Sequence, residues 1–197
     1  MARHKVFVSY HHANDQKWRE AFELLFSEIY DIIVSKSVQI GDIDPNLPAE
    51  TVRQIIRDEY LRDSTVTVVL VGPETWKRKH VDWEIAASIR DTKYNPRSGL
   101  LGILLPSYHE YYKIPVGYNS PNYDPCTIPP RLYDNIENGF ARLYEWSDDP
   151  SEVQQWIHEA FKRRKEILPD NSYPSYKKNR TADSWCQGDF DGDQKLS

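Results

Sequence analysis

Cysteine is nearly absent from this chain, which carries only Cys126 and Cys186 in 197 residues. The two fall in separate loop-like contexts, so they read as neither a disulfide framework nor a set of metal ligands. Long apolar runs are missing as well: residues 100–105 form one of the longest, far too short to cross a bilayer. The opening MARHKVFVSYHH has no leader-like apolar core, and a cytoplasmic protein is expected. Positive charge is not in surplus, since 25 basic against 30 acidic side chains leave a net charge of −5, which speaks against nucleic acid as a partner. Motifs that would name a familiar reaction are absent too. No GxGxxG follows the first strand pattern, and there is no GxxxxGK(S/T), no HExxH and no paired CxxC. Dinucleotide oxidoreduction, P-loop phosphoryl transfer and zinc hydrolysis lose their usual supports. Asp189-Phe190-Asp191-Gly192-Asp193 begins like a calcium loop, but the bidentate glutamate that would close it does not follow, and no metal is expected. Asn179-Arg180-Thr181 fits a glycosylation acceptor, which in a cytoplasmic protein is chance. Neither an internal repeat nor a low-complexity tract occurs.

What is present is an alternation of strand and helix patterns. Residues 5–9 (KVFVS) read as a strand, followed by a polar turn in which Asn14 or Asp15 can cap a helix. Trp18, Ala21, Phe22, Leu25, Phe26 and Ile29 then recur at helical spacing, one stripe facing a sheet. A second strand is expected at residues 37–40. The loop that follows holds Asp42, Asp44 and two prolines before Val52, Ile55 and Ile56 announce a second helix. Residues 66–71 are an almost unbroken β-branched and apolar run bounded by Asp63 and Gly72-Pro73, the pattern of a central strand buried on both faces. After it, Val81, Ile85, Ser88 and Ile89 repeat as a third helix, and residues 100–105 as a fourth strand. A fifth strand is expected at 141–146, and Asp148-Asp149-Pro150 starts a last helix whose cations, Lys162 to Lys165, sit at its carboxyl end.

This order predicts an α/β, flavodoxin-like three-layer sandwich around a five-stranded parallel sheet. It occupies residues 1–168 as one domain. Within it, residues 106–138, with prolines at 115, 121, 125, 129 and 130 and five tyrosines between 108 and 123, read as an irregular insertion and a candidate lid. Residues 169–197 read as a polar, poorly ordered or loosely docked tail.

Open α/β sheets bind ligands at the carboxyl ends of their strands. There the pattern gathers Ser9, Tyr10 and His11 after the first strand, Asp42 and Asp44 after the second, and Trp83 with Glu84 in the first turns of the helix after the third. A receiver domain of the same architecture would need carboxylates where Ser9-Tyr10-His11 stands and a phospho-acceptor aspartate where Val71-Gly72 stands, so that reading fails. Glu84 is the residue expected to do chemistry: a helix amino terminus favours its charged form, and the neighbouring indole offers an apolar wall.

The opening KVFVSYHHAND, with its early Trp-Arg in the following helix, resembles the first strand and helix of a Toll/interleukin-1 receptor (TIR) domain. DSTVTVVLVGPETWKRKHVDWEI is similar to the strand and catalytic-glutamate helix of the bacterial TIR-like branch found in Thoeris antiphage defence systems. The resemblance covers about residues 4–105; the loop GDIDPNLPAE departs from it in lacking a basic, glycine-rich composition. It implies cleavage of the nicotinamide-ribose bond of NAD as substrate, with no separate cofactor. Glu84 would then be catalytic, and Ser9, Tyr10, His11, Asp42 and Trp83 would bind substrate. It also implies TIR–TIR self-association, a phage component as trigger, and a separate effector switched by a diffusible nucleotide. Two other readings stand beside it: a non-catalytic TIR adaptor, and a nucleoside 2-deoxyribosyltransferase using a glutamate on a similar sheet.

Overall fold

Five of the six side chains in Val66–Val71 are apolar, and all six are buried, because the segment runs through the middle of a parallel sheet with helices on both sides. A computed structural model describes residues 4–26, 31–33, 44, 47–92 and 95–187. Its strands are β1 (Lys5–Ser9), β2 (Asp31–Ile33), β3 (Val66–Val71), β4 (Gly99–Leu104) and β5 (Ala141–Glu145), in the order β2-β1-β3-β4-β5. Every pairing is parallel, with Ser9 beside Val69 and Val71 beside Leu104. This is the doubly wound sheet that the alternation predicts.

The helices are α1 (His12–Phe26), α2 (Ala49–Ile55), α3 (Lys79–Ser88), α4 (Pro106–Tyr112), α5 (Pro130–Glu137) and α6 (Pro150–Glu166). On one face, Phe22 and Phe26 of α1 and Val153 and Ile157 of α6 pack on Val6, Val8, Val68 and Leu70. On the other, Val81 and Ile85 of α3 and Leu132 of α5 cover Val69, Val71 and Leu104, while Val52 of α2 and Trp83 of α3 pack on Phe7. α6 starts as its sequence dictates: Asp149 caps it by accepting from the Ser151 N–H at 2.8 Å, and Pro150 takes the first turn. Among the described residues no helix is long and apolar enough to cross a membrane.

Several expectations are corrected. The second strand of the sheet is Asp31–Ile33, and the expected strand at 37–40 lies outside the described residues, as does the calcium-like segment at 189–193. Residues 106–138 are not irregular throughout. They begin with α4 and end in α5, the helix that carries the chain from β4 to β5; the irregular part is 113–129, which holds a single short helical turn, Pro125–Thr127. The prolines that suggest irregularity include Pro106 and Pro130, each in the first turn of a helix, where a missing N–H costs nothing. Tyr108 is buried there, its hydroxyl 2.6 Å from that of Thr127.

The described part of the tail is docked rather than loose, and residues 188–197 lie outside the described residues. Residues 170–187 run back along α3 and α5, and Tyr176 is fully buried. Trp83 Nε1 donates to the Tyr176 carbonyl at 2.8 Å, Asn171 Nδ2 to that of Ala86 at 3.0 Å, and Trp185 Nε1 to that of Ile128 at 2.9 Å. At the centre lies Arg131. Its Nε meets Asp82 Oδ1 at 2.9 Å, and its two other nitrogens reach Asn171 Oδ1 and the Tyr173 carbonyl, each at 2.7 Å. The fold-back also brings Cys126 and Cys186 together as a disulfide, with Cα atoms 5.3 Å apart across 60 residues of chain. Separate loops in sequence are adjacent in space because the tail returns.

Candidate functional site

In a sheet ordered β2-β1-β3-β4-β5 the strand order reverses between β1 and β3, which opens a crevice at their carboxyl ends. Ser9 ends β1, and α3 follows β3 after a short turn, so Ser9 and Glu84 meet across this crevice. The Ser9 hydroxyl donates to Glu84 Oε2 at 2.6 Å, and both groups are buried. Glu84 is 1 % exposed. A short bond to a buried carboxylate fixes its orientation and ties β1 to the second turn of α3.

One turn nearer the start of α3 lies a cavity of about 150 Å³, lined by Tyr10, His11, His12 and Ala13 from the β1–α1 junction, Arg78, His80 and Val81 from the start of α3, and Asn179 from the tail. Glu84 does not line it, but His80 and Glu84 are four residues apart and share a helix face. Asn179 Oδ1 accepts the Lys79 N–H at 3.0 Å and thereby caps α3, whose own cap position, Arg78, supplies no side-chain cap.

His11 carries the clearest electrostatic signal. Burial, reinforced by the Arg78 guanidinium, pushes its pKa down to about 4, so the ring is neutral at physiological pH. Its Nδ1 accepts the Asn14 N–H at 3.2 Å, which places the proton on Nε2. Nε2 is buried and has no hydrogen-bond partner among the described residues, and the same holds for Arg78 Nε. Two buried donors, on two residues that line the cavity, therefore have no hydrogen-bond partner among the described residues. Among the described residues Arg78 pairs with Glu74 Oε2 at 3.6 Å. Behind the wall, the buried Asp15 carboxylate accepts from Thr75 Oγ1 at 3.3 Å, and burial raises its pKa to about 6.

The remaining expected residues divide. Tyr10 lines the cavity, with its hydroxyl donating to Gln16 Oε1 at 2.7 Å. Trp83 does not: it is 7 % exposed, packs among Phe7, Val52 and Ile56, and spends its N–H on Tyr176. At helical spacing Trp83 is turned about 100° from Glu84, so adjacency in sequence separates them in space. Asp42 lies outside the described residues, and Asp44 is exposed. Among the described residues no group of three or more His, Cys, Asp or Glu is placed to hold a metal ion. Arg78 and Asn179 are the residues that sequence reasoning missed. The basic run Lys77-Arg78-Lys79-His80 at the start of α3 was a readable signal for the first; nothing local points to the second.

A family model described as "Thoeris protein ThsB, TIR-like domain" matches residues 7–110, more than half of the chain. The comparison with curated proteins gave no match. The matched stretch runs from β1 into α4 and contains Ser9, His11, Arg78 and Glu84.

Proposed function

Because the chain belongs to the TIR-like family of the Thoeris protein ThsB, whose setting is antiphage defence, we propose that it cleaves NAD and releases an ADP-ribose-derived signalling nucleotide. The observation that carries this reading is Glu84, held by Ser9 at the switch point of the sheet on the helix face it shares with the cavity residue His80. In the reaction the bond between ribose C1′ and the pyridinium nitrogen breaks. Its electron pair goes to the ring, neutralising it, so the leaving group needs no acid. Positive charge develops on the ribose, and the Glu84 carboxylate stabilises it. Water then adds to C1′ and loses a proton, giving ADP-ribose; a hydroxyl or ring nitrogen of the same molecule gives a cyclic product, and an outside nucleophile a conjugate.

Since Glu84 is 1 % exposed, ribose reaches it only when the substrate displaces the side chains above it, and the Ser9 hydroxyl exchanges its carboxylate for a sugar hydroxyl. Glu84→Gln is expected to abolish nicotinamide release while leaving the circular dichroism spectrum unchanged. That same burial favours a second reading, in which Ser9–Glu84 is a structural tie and the domain works by TIR–TIR assembly alone. Under it wild-type protein releases no nicotinamide at any concentration.

A further inference from the structure

The two halves of the returning tail are held in different ways. Residues 170–176 rest on buried polar groups: Arg131 binds Asn171 and the Tyr173 carbonyl, and Asp82 Oδ2 accepts the Tyr176 N–H at 3.0 Å. Residues 177–187 contain no buried residue, and near their far end Cys186 is joined to Cys126. The Cys126 end is firmly set. Asp124 Oδ1 accepts the Cys126 N–H at 2.9 Å, and the buried Thr127 next to it shares a 2.6 Å hydroxyl bond with Tyr108. Cys186 is exposed. An exposed disulfide is open to attack by a thiolate and belongs to the labile class, unlike a buried structural one. The half it secures bears on the site. Asn179 Oδ1 caps α3 through the Lys79 N–H, the Arg180 N–H donates to the Lys77 carbonyl at 2.8 Å, and Asn179 lines the cavity beside Tyr10, His11 and His80. With both ends fixed, this segment is a closed loop over the start of α3; with the bond open it is held beyond Tyr176 only by contacts at or near the surface, and it frays.

We propose that Cys126 and Cys186 form a thiol-sensitive latch on the cavity wall: oxidised, it holds residues 177–187 against the start of α3, and reduced by a dithiol it lets that segment leave while residues 170–176 stay docked. A thiolate of the dithiol attacks Cys186 Sγ and expels the Cys126 thiolate, which takes up a proton. The second thiol of the reductant then displaces Cys186 Sγ, leaving two cysteine thiols and an oxidised dithiol, so that two electrons and two protons pass to the protein. Glu84 is 1 % exposed and lies one turn of α3 from the wall that Asn179 completes, so departure of the segment opens the approach to it and the reduced protein is the more active form. That consequence rests on the reading of the chain as cleaving NAD; the latch itself does not.

The test compares the full chain, oxidised and reduced with dithiothreitol, by nitrogen-15 NMR. On reduction the Trp185 indole N–H, bonded to the Ile128 carbonyl, and the Lys79 and Arg180 amides are expected to exchange with solvent about tenfold faster, while the Trp83 indole N–H, bonded to Tyr176, keeps its rate. Cys126→Ser combined with Cys186→Ser is expected to match reduced wild type with or without dithiothreitol. Wild type is expected to regain the slow rates when oxidised glutathione replaces dithiothreitol. Nicotinamide release from NAD is expected to be several-fold faster in the reduced form. Unchanged exchange at Trp185 and Arg180, loss of protection at Trp83 as well, cysteines that stay open to alkylation after oxidised glutathione, or NAD cleavage at equal rates in the two forms would each overturn the proposal. No nicotinamide release by either form, with the exchange changes present, would instead remove the cleavage reading and leave the latch standing.

Discussion

His11 and Asp15 sit close together at the start of α1 and respond to pH in opposite directions. His11 has its folded pKa lowered from 6.5 to about 4, so the stability it supports is complete above pH 6.5 and is lost as pH falls toward 4, by about 3 kcal/mol at most. Asp15 has its folded pKa raised from 3.8 to about 6, so it contributes stability at low pH that is lost as pH rises from 3.8 through 6, again by about 3 kcal/mol at most. The two offset each other in the acid range. Asp15→Asn keeps an acceptor for Thr75 and removes only the second effect. We expect the variant to exceed wild type by about 2 kcal/mol at pH 8, after allowing for the lost helix-dipole attraction. The advantage should vanish near pH 4, so the acid limb of its stability curve should be the steeper. Urea unfolding across pH 4 to 8 checks this; parallel curves would contradict it. Gly72 bounds the same carboxylate, and a Cβ there would collide with it, so Gly72→Ala is expected to lower stability by 1 kcal/mol or more, as read by thermal unfolding.

Among the elements, the tail is held mostly by buried polar groups. Arg131 is wholly buried, and its fork binds Asp82, Asn171 and the Tyr173 carbonyl, while the other Asp82 oxygen accepts the Tyr176 N–H at 3.0 Å. Removing Arg131 strands Asp82 in the interior, a defect of about 3–5 kcal/mol. Arg131→Ala is therefore expected to destabilise the whole domain by that amount in urea and to expose residues 170–187 to limited proteolysis. A loss under 1 kcal/mol would show that the strap is not coupled to the core. Replacing both Cys126 and Cys186 by serine is expected to cost up to about 4 kcal/mol, the loop-closure value for a 60-residue separation, measured as the difference in unfolding midpoint. The same elements show where sequence reading reaches and where it stops. β3 is legible because burial on both faces demands an unbroken apolar run, and α6 because its cap and proline are local signals. The tail leaves no such trace: Trp83, Arg131 and Asn135 bind its backbone carbonyls, which every residue type supplies. α5 is hidden by a proline that breaks helices everywhere except at the position it occupies. At the site, Ser9, Glu84 and His11 follow from topology. Trp83 misleads because neighbours on a helix face different ways, and Asn179 reaches the site through the fold-back alone.

For the molecule as a whole, the three layers bring the β1–α1 junction, the start of α3 and the returning tail to one edge of the sheet, with a basic patch on an acidic protein. If the chain acts on NAD as proposed, that patch steers the anionic dinucleotide, and KM for NAD is expected to rise several-fold between 50 mM and 500 mM salt with kcat little changed. Flat salt dependence would contradict that. Membership of the ThsB TIR-like family places the chain in antiphage defence, and under the proposed function its chemistry starts at one carboxylate, Glu84. The most direct measurement is nicotinamide released from NAD, resolved by chromatography with mass detection, for wild-type protein and for Glu84→Gln at matched concentration. Cleavage at Glu84 predicts steady release by the first, together with an ADP-ribose-derived product, and none by the second. Equal release by both proteins, or none by wild type even when concentrated enough to assemble, would contradict it.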